Sequence, residues 1–135
     1  MKNFSSKLSA SQQAERLLPP QRRVKAVLDT DAYNEIDDQF AILYAMLSPE
    51  KIDLQAIYAV LFYNGRSSSP ADGMEKSYQE ILKICGLTGR DPEGFVFRGC
   101  RAPLEGPELP QESEAVNDPV SYTHLRAHET RRHLV

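Results

Sequence analysis

The chain has no tryptophan, two cysteines, three histidines and no apolar run of transmembrane length. Each shortage excludes something. Cys85 and Cys100 lack metal-ligand spacing and cannot build a disulfide framework, so both thiols are expected to stay reduced. Residues 1–23 carry Lys2, Lys7, Arg16, Arg22 and Arg23 but no continuous apolar core, which argues against a secretory signal. The cytoplasm is the expected compartment. Base is not in excess either: net charge is −3, and Lys and Arg are scattered rather than striped. Neither a nucleic acid nor an anionic membrane is therefore an expected partner, and the expected ligand is small. The most informative absence is local. No Lys or Arg occurs between Lys25 and Lys51, and inside that gap lies DTDAYNEIDD, Asp29 to Asp38, with five acids in ten residues.

Crowded carboxylates repel unless a cation compensates them. Here they cannot spread freely, because the strand-like run Val24, Ala26, Val27, Leu28 leads in and a helical run leads out. In the second run Ile36, Phe40, Leu43, Tyr44 and Leu47 recur at spacings of three and four, which predicts one buried helix face. Asp29 and Asp31 are expected to share a face at the carboxyl end of the strand. Asp37 and Asp38 fall in the first helical turn, where the dipole favours negative charge. The four acids can then converge, and hard oxygen donors on a loop suit Ca²⁺ or Mg²⁺. Taken singly, an acid such as Asp37 reads more often as a helix cap than as a ligand. The grouped pattern after an apolar strand reads as a ligand site, since carboxyl strand ends of open α/β sheets are where ligands bind.

The remaining elements support one domain. Residues 1–23 read as a polar arm with a short helix, Ala10 to Leu18, stopped by Pro19-Pro20. The strand Lys25 to Asp29, the helix Ile36 to Leu47 and a second strand near Leu54 to Val60 follow. Asn64-Gly65 opens a polar loop before a helix from about Ala71, carrying Met74, Tyr78, Ile81, Leu82 and Cys85 at helical spacing and stopping at Gly86. Phe95 to Gly99 gives a third strand, and a long Pro- and Glu-rich loop comes after it. This alternation predicts an α/β fold with an open, mainly parallel sheet, Rossmann-like in its strand-helix order. In it Asp29 to Asp38 and Asn64 lie at the ends of successive strands.

These residues resemble the inosine-uridine preferring nucleoside hydrolase family, whose first strand ends in an Asp-rich DxDxxxDD signature. The present form, DTDAYNEIDD followed by QFAILYAML, has two extra residues before the Asp pair and looks like a longer branch of that family. FYNGRSSSPADGMEKSYQEILKI resembles the same branch, and coverage runs over residues 24–118. The resemblance implies the N-terminal part of a nucleoside hydrolase fold and calcium-dependent hydrolysis of ribonucleosides to ribose and base. By that likeness Asp31 and Asp38 are calcium ligands and Asp31 is also the base on the attacking water. Asp37 binds ribose hydroxyls, Asn64 contacts the sugar and not the metal, and Asp29 supports the ligands from behind. Asn34 and Glu35, in the extra loop, have no counterpart in the shorter motif. Base preference and oligomeric state, homo-oligomer included, stay open.

The resemblance also implies a longer parent chain that supplies further calcium ligands and a leaving-group acid. All three histidines, His124, His128 and His133, lie beyond the region of likeness. Residues 1–119 hold 13 basic and 18 acidic residues, whereas the rest holds three Arg and one Glu, so residues 119–135 read as a tail foreign to the domain. His124 and His128 are not expected to bind zinc, as no carboxylate stands at the metalloprotease position. An open sheet should leave Val27, Ile57 and Val60 uncovered, with poor solubility. Two rivals remain. One is a phosphatase of the haloacid dehalogenase type, with Asp29 as nucleophile and Asp31 as general acid; the other is a non-catalytic, sugar-binding fragment.

Overall fold

The structure, a computed structural model, describes residues 8–106, 109 and 111–118. The elements are α1 (Ala10–Arg16), β1 (Val24–Thr30), α2 (Ile36–Met46), β2 (Ile52–Ala59), α3 (Pro70–Thr88), β3 (Val96–Arg98) and α4 (Glu114–Asn117). The strands are parallel and ordered β1-β2-β3, so the α/β class and the open sheet are as the alternation predicts. The three histidines and the rest of residues 119–135 lie outside the described residues. Among those described, no helix is long and apolar enough to cross a membrane. Both cysteines are free thiols, and burial pushes the Cys85 thiol up.

α2 and α3 both touch β2 and each other, so they lie side by side on one face of the sheet. Beneath them Ile57 and Ala59 of β2 join Ile42, Met74, Ile81, Ile84 and Cys85 in a single core. Ile57, expected on an uncovered face, is fully buried there, while Val60 is 37% exposed. β2 also begins earlier than Leu54. Its polar Asp53 is tolerated because Arg23 bonds it at 2.8 Å. Gln55 is skipped in the register between Leu54 and Ala56, a bulge that lets the apolar alternation resume.

Two helix expectations need correction. Gly86 does not stop α3, which runs on to Thr88 and ends at Gly89, whose φ of 70° supplies the left-handed cap. The face of α2 read from its periodicity is wrong at every position but Leu43. Ile36, Phe40, Tyr44 and Leu47 are 66%, 65%, 72% and 71% exposed, and the buried side is Ile42 with Leu43 and Met46 packed beside it. Asp38, Ile42 and Met46 are spaced by four, so one face carries both the site acid and the core contacts. The bond from Thr30 to Asp38 turns that face to the sheet. Replacing Phe40 and Tyr44 together by Lys is expected to shift stability by only about 0.5 kcal/mol, as for other surface changes, while suppressing self-association. Light scattering and thermal melts check this. A large fall in melting temperature would mean the stripe is buried.

The edge strand β3 is tied to α3 by one arginine. Arg98 Nε and Nη2 bond Glu75 at 2.9 and 3.1 Å, and its guanidinium lies 3.7 Å from the Tyr78 ring centre. Arg98 holds the Glu75 carboxyl below its ordinary value of 4.5, with Gln79 assisting. A depressed carboxyl stabilises the fold above its unfolded value and loses that contribution as pH falls through the lowered folded one. Both partners are over a third exposed, so the effect is at most about 1 kcal/mol. Glu75→Gln should therefore melt lower than wild type at neutral pH and converge with it below pH 4.5.

Candidate functional site at the carboxyl ends of the first two strands

β1 ends in Thr30, a buried residue whose Oγ1 donates to Asp38 Oδ1 at 2.6 Å. A hydroxyl bonded at that length to a carboxylate is a strong, charge-assisted contact. The chain then turns at once, with Asn34 N–H donating to the Asp31 carbonyl at 2.7 Å. Tyr33 anchors the turn by stacking on Phe62, ring centres 6.5 Å apart, and Lys76 Nζ stands 5.9 Å from the Tyr33 ring centre. α2 starts after Glu35, which is its N-cap. Asp37 is thus not the cap; it lies exposed in the first turn beside Asp38.

The end of β2 meets this loop through side chains. Asn34 Nδ2 donates to Asp31 Oδ2 at 2.9 Å, and Asn64 Nδ2 donates to Asn34 Oδ1 at 2.5 Å. Arg66 donates from its guanidinium to the Asn34 carbonyl, and its own N–H donates to Asn64 Oδ1 at 2.9 Å. α3 closes the set: Lys76 Nζ donates to the Arg66 carbonyl and to Asp72, each at 2.8 Å. Lys76 and then the Ser68 backbone N–H hold the Asp72 carboxyl below its ordinary range. Gly73 makes the approach of α3 feasible, since a Cβ there would sit 2.0 Å from the Phe62 carbonyl oxygen.

Asp31, Asp38 and Asn64 are therefore at adjacent strand ends. Asp31 and Asp38 are half-buried, whereas Asp37, Asn64 and Asp29 are exposed. Asp29 lies within β1, opposite Tyr58 in the register. The four acids do not gather as one set: no group of three or more His, Cys, Asp or Glu able to hold a metal occurs among the described residues. Among the described residues, Asp31 and Asp38 each accept through one side-chain oxygen, from Asn34 and Thr30. In kind they fit a hard cation; in number they fall short of the six to eight oxygens that Ca²⁺ takes. No local pattern pointed to Thr30, Arg66 or Lys76. Asn34 had one signal, its position in the lengthened loop.

A cleft of about 450 Å³ opens beside this loop, lined by Tyr33, Gln39, Arg66 and Glu80. A larger one, about 780 Å³, lies between α3, β3 and α4 and includes none of the site residues expected from the sequence. The smaller cleft adjoins the strand ends through Tyr33 and Arg66, so its position, not its size, associates it with the acids. No protein-family model matches the chain, and neither a curated protein nor a solved structure is detectably similar to it.

Proposed function

We propose that this site serves calcium-dependent hydrolysis of the N-glycosidic bond of ribonucleosides, in the manner of the nucleoside hydrolases that the DTDAYNEIDD stretch resembles. One observation carries the reading. Asp31 and Asn64, from successive strand ends, are joined through a single side chain, with Asp38 bonded to the last residue of the first strand. A cation there would be held by Asp31 and Asp38, with the rest of its shell from outside the described residues or from water. When bound, calcium would acidify the attacking water and hold the 2′ and 3′ hydroxyls.

The chain's own groups have separable tasks. Asp31, held in place by Asn34, takes the proton of the attacking water. Positive charge grows on the ribose as the bond to the base breaks, and the acids at the first turn of α2 stabilise it. Exposed Asp37 binds sugar hydroxyls. Asn64 keeps one amide hydrogen and one carbonyl lone pair beyond its bonds to Asn34 and Arg66, enough to contact the ribose.

Ribose binding tests the proposal. The chain should retain ribose when calcium is present, and Asp37→Asn should not. Ribose release from inosine or uridine is expected to be slow, because two ligating carboxylates leave the cation loosely held. A phosphoaspartate trapped at Asp29 would replace this reading with the phosphatase one.

A further inference from the structure

We infer that the outer edge of β1 pairs antiparallel with the same edge of a second copy of this chain, so that one sheet runs through both. The strand order leaves β1 and β3 as the two edges of the sheet. β3 is three residues long, and its outward Arg98 N–H already donates to Glu114 Oε2 of α4 at 3.0 Å. β1 is seven residues long, and among the described residues no strand lies beyond it. Val24 N–H donates to the Lys51 carbonyl and the Thr30 carbonyl accepts from Val60, each at 2.9 Å, so the even-numbered residues of β1 turn their backbone groups to the β2 side. Strand alternation then turns those of Lys25, Val27 and Asp29 to the outer edge.

A two-fold pairing needs an edge that complements itself. β1 reads Val-Lys-Ala-Val-Leu-Asp-Thr, with its one base and its one acid each two residues from Val27. With Val27 on the axis, Lys25 of each copy stands opposite Asp29 of the other, and Ala26 stands opposite Leu28. Both charged residues are exposed. Opposite charges directly across a strand pair favour it and like charges oppose it, which decides the register. Centring the pair on Lys25 or on Asp29 would set like charges face to face, and a centre at Ala26 or Leu28 would set a charge opposite Val27. A lysine on an edge strand commonly guards against such pairing, but here Asp29 offsets it. Val27 exchanges both backbone bonds with its counterpart. Asp29 has contacts of its own within the chain, and the pairing draws on its charge.

The helices support the same arrangement. The two-fold axis of such a pair runs along the sheet normal, so α2 of both copies stands on one face of the joined sheet. α3 touches β2 and β3, whereas α2 touches β2 and α3, so α2 is the helix nearer the β1 edge. Pairing through β1 therefore brings the two α2 helices side by side and antiparallel. The exposed stripe of Ile36, Phe40, Tyr44 and Leu47 then has a neighbour of its own kind. No charged residue occurs between Asp38 and Glu50, so nothing along the stripe repels a second copy. Contiguous apolar surface of this sort marks contact sites.

Sedimentation velocity on the full 135-residue chain, over a range of concentrations, reads the association. The wild-type chain should dimerise. Lys25→Asp and Asp29→Lys each set like charges opposite one another at both symmetric positions, and each should weaken the dimer about tenfold. The double variant, Lys25→Asp with Asp29→Lys, restores both opposite-charge pairs and should recover wild-type association. Circular dichroism checks that each variant folds. If Asp29→Lys does not, Val27→Cys combined with Cys100→Ser carries the test, because opposed Cα atoms of a hydrogen-bonded pair lie about 5.5 Å apart, within disulfide reach. Mild oxidation should then give a covalent dimer through position 27, as the remaining thiol, Cys85, is buried. A monomeric wild type, a dimer unweakened by the single charge reversals, a double variant that stays weak, or no covalent dimer from Val27→Cys overturns the pairing. Association that survives both reversals but not Phe40→Lys with Tyr44→Lys would place the contact on α2 alone and overturn it as well.

Discussion

Gly73→Ala is expected to lower the melting temperature of the chain sharply. The added Cβ would lie 2.0 Å from the Phe62 carbonyl oxygen and 2.9 Å from both the Phe62 carbonyl carbon and nitrogen. All three are backbone atoms, so no side chain can swing aside, and either α3 or the segment leaving β2 must move. Forced overpacking ordinarily costs about 1–3 kcal/mol, and a rigid backbone clash belongs at or above the upper end. Against a total of about 5–15 kcal/mol that is a large share, and it falls on the segment that presents Asn64 and Arg66. Gly86→Ala is the matched control, because nothing lies within 4 Å of a Cβ there. It sits inside α3 and should gain about 1 kcal/mol from helix propensity alone. Circular dichroism melts of the two variants decide the matter. Equal melting temperatures would mean that α3 does not cross Phe62 this closely.

The second large effect separates charge from hydrogen bonding at Asp38. Removing its carboxylate should abolish cation binding, but two substitutions do this at different structural expense. Asp38→Ala also takes away the acceptor for Thr30, a residue 4% exposed whose hydroxyl would be left unsatisfied. That costs about 1–3 kcal/mol. Asp38→Asn can keep an oxygen facing Thr30 and should melt close to wild type while binding no calcium. Calorimetry for the cation and thermal melts for the fold give the two readings independently. If Asp38→Ala were as stable as Asp38→Asn, the Thr30 bond would not be what orients α2.

The sequence carried the element order and the placing of Asp31, Asp38 and Asn64 at adjacent strand ends because those depend on strong local signals. Apolar alternation marked β1, helical spacing marked α2 and α3, and an acid cluster with no nearby base marked the strand end. The orientation of α2 was not legible in the same way. Its residues are apolar on more than one side, so periodicity alone favoured the stripe Ile36, Phe40, Leu43, Tyr44 and Leu47, of which only Leu43 packs on the core. A constraint from the site would have decided correctly: if Asp38 must face the strand end, Ile42 and Met46 follow it into the core. Gly86 shows the same limit. A glycine can stop a helix, but the chain needed a left-handed residue only at Gly89, three positions later, where the turn into β3 begins. The network through Asn34, Asn64, Arg66 and Lys76 spans residues far apart in sequence, and no local pattern reports such contacts.

Titration calorimetry of inosine, with calcium and without it, tests the central claim that the ends of β1 and β2 form a cation-dependent ribose site. The account predicts binding to the wild-type chain only in the presence of calcium, and none to Asp38→Asn under either condition. Inosine binding of equal strength with and without calcium, unchanged in Asp38→Asn, would contradict it.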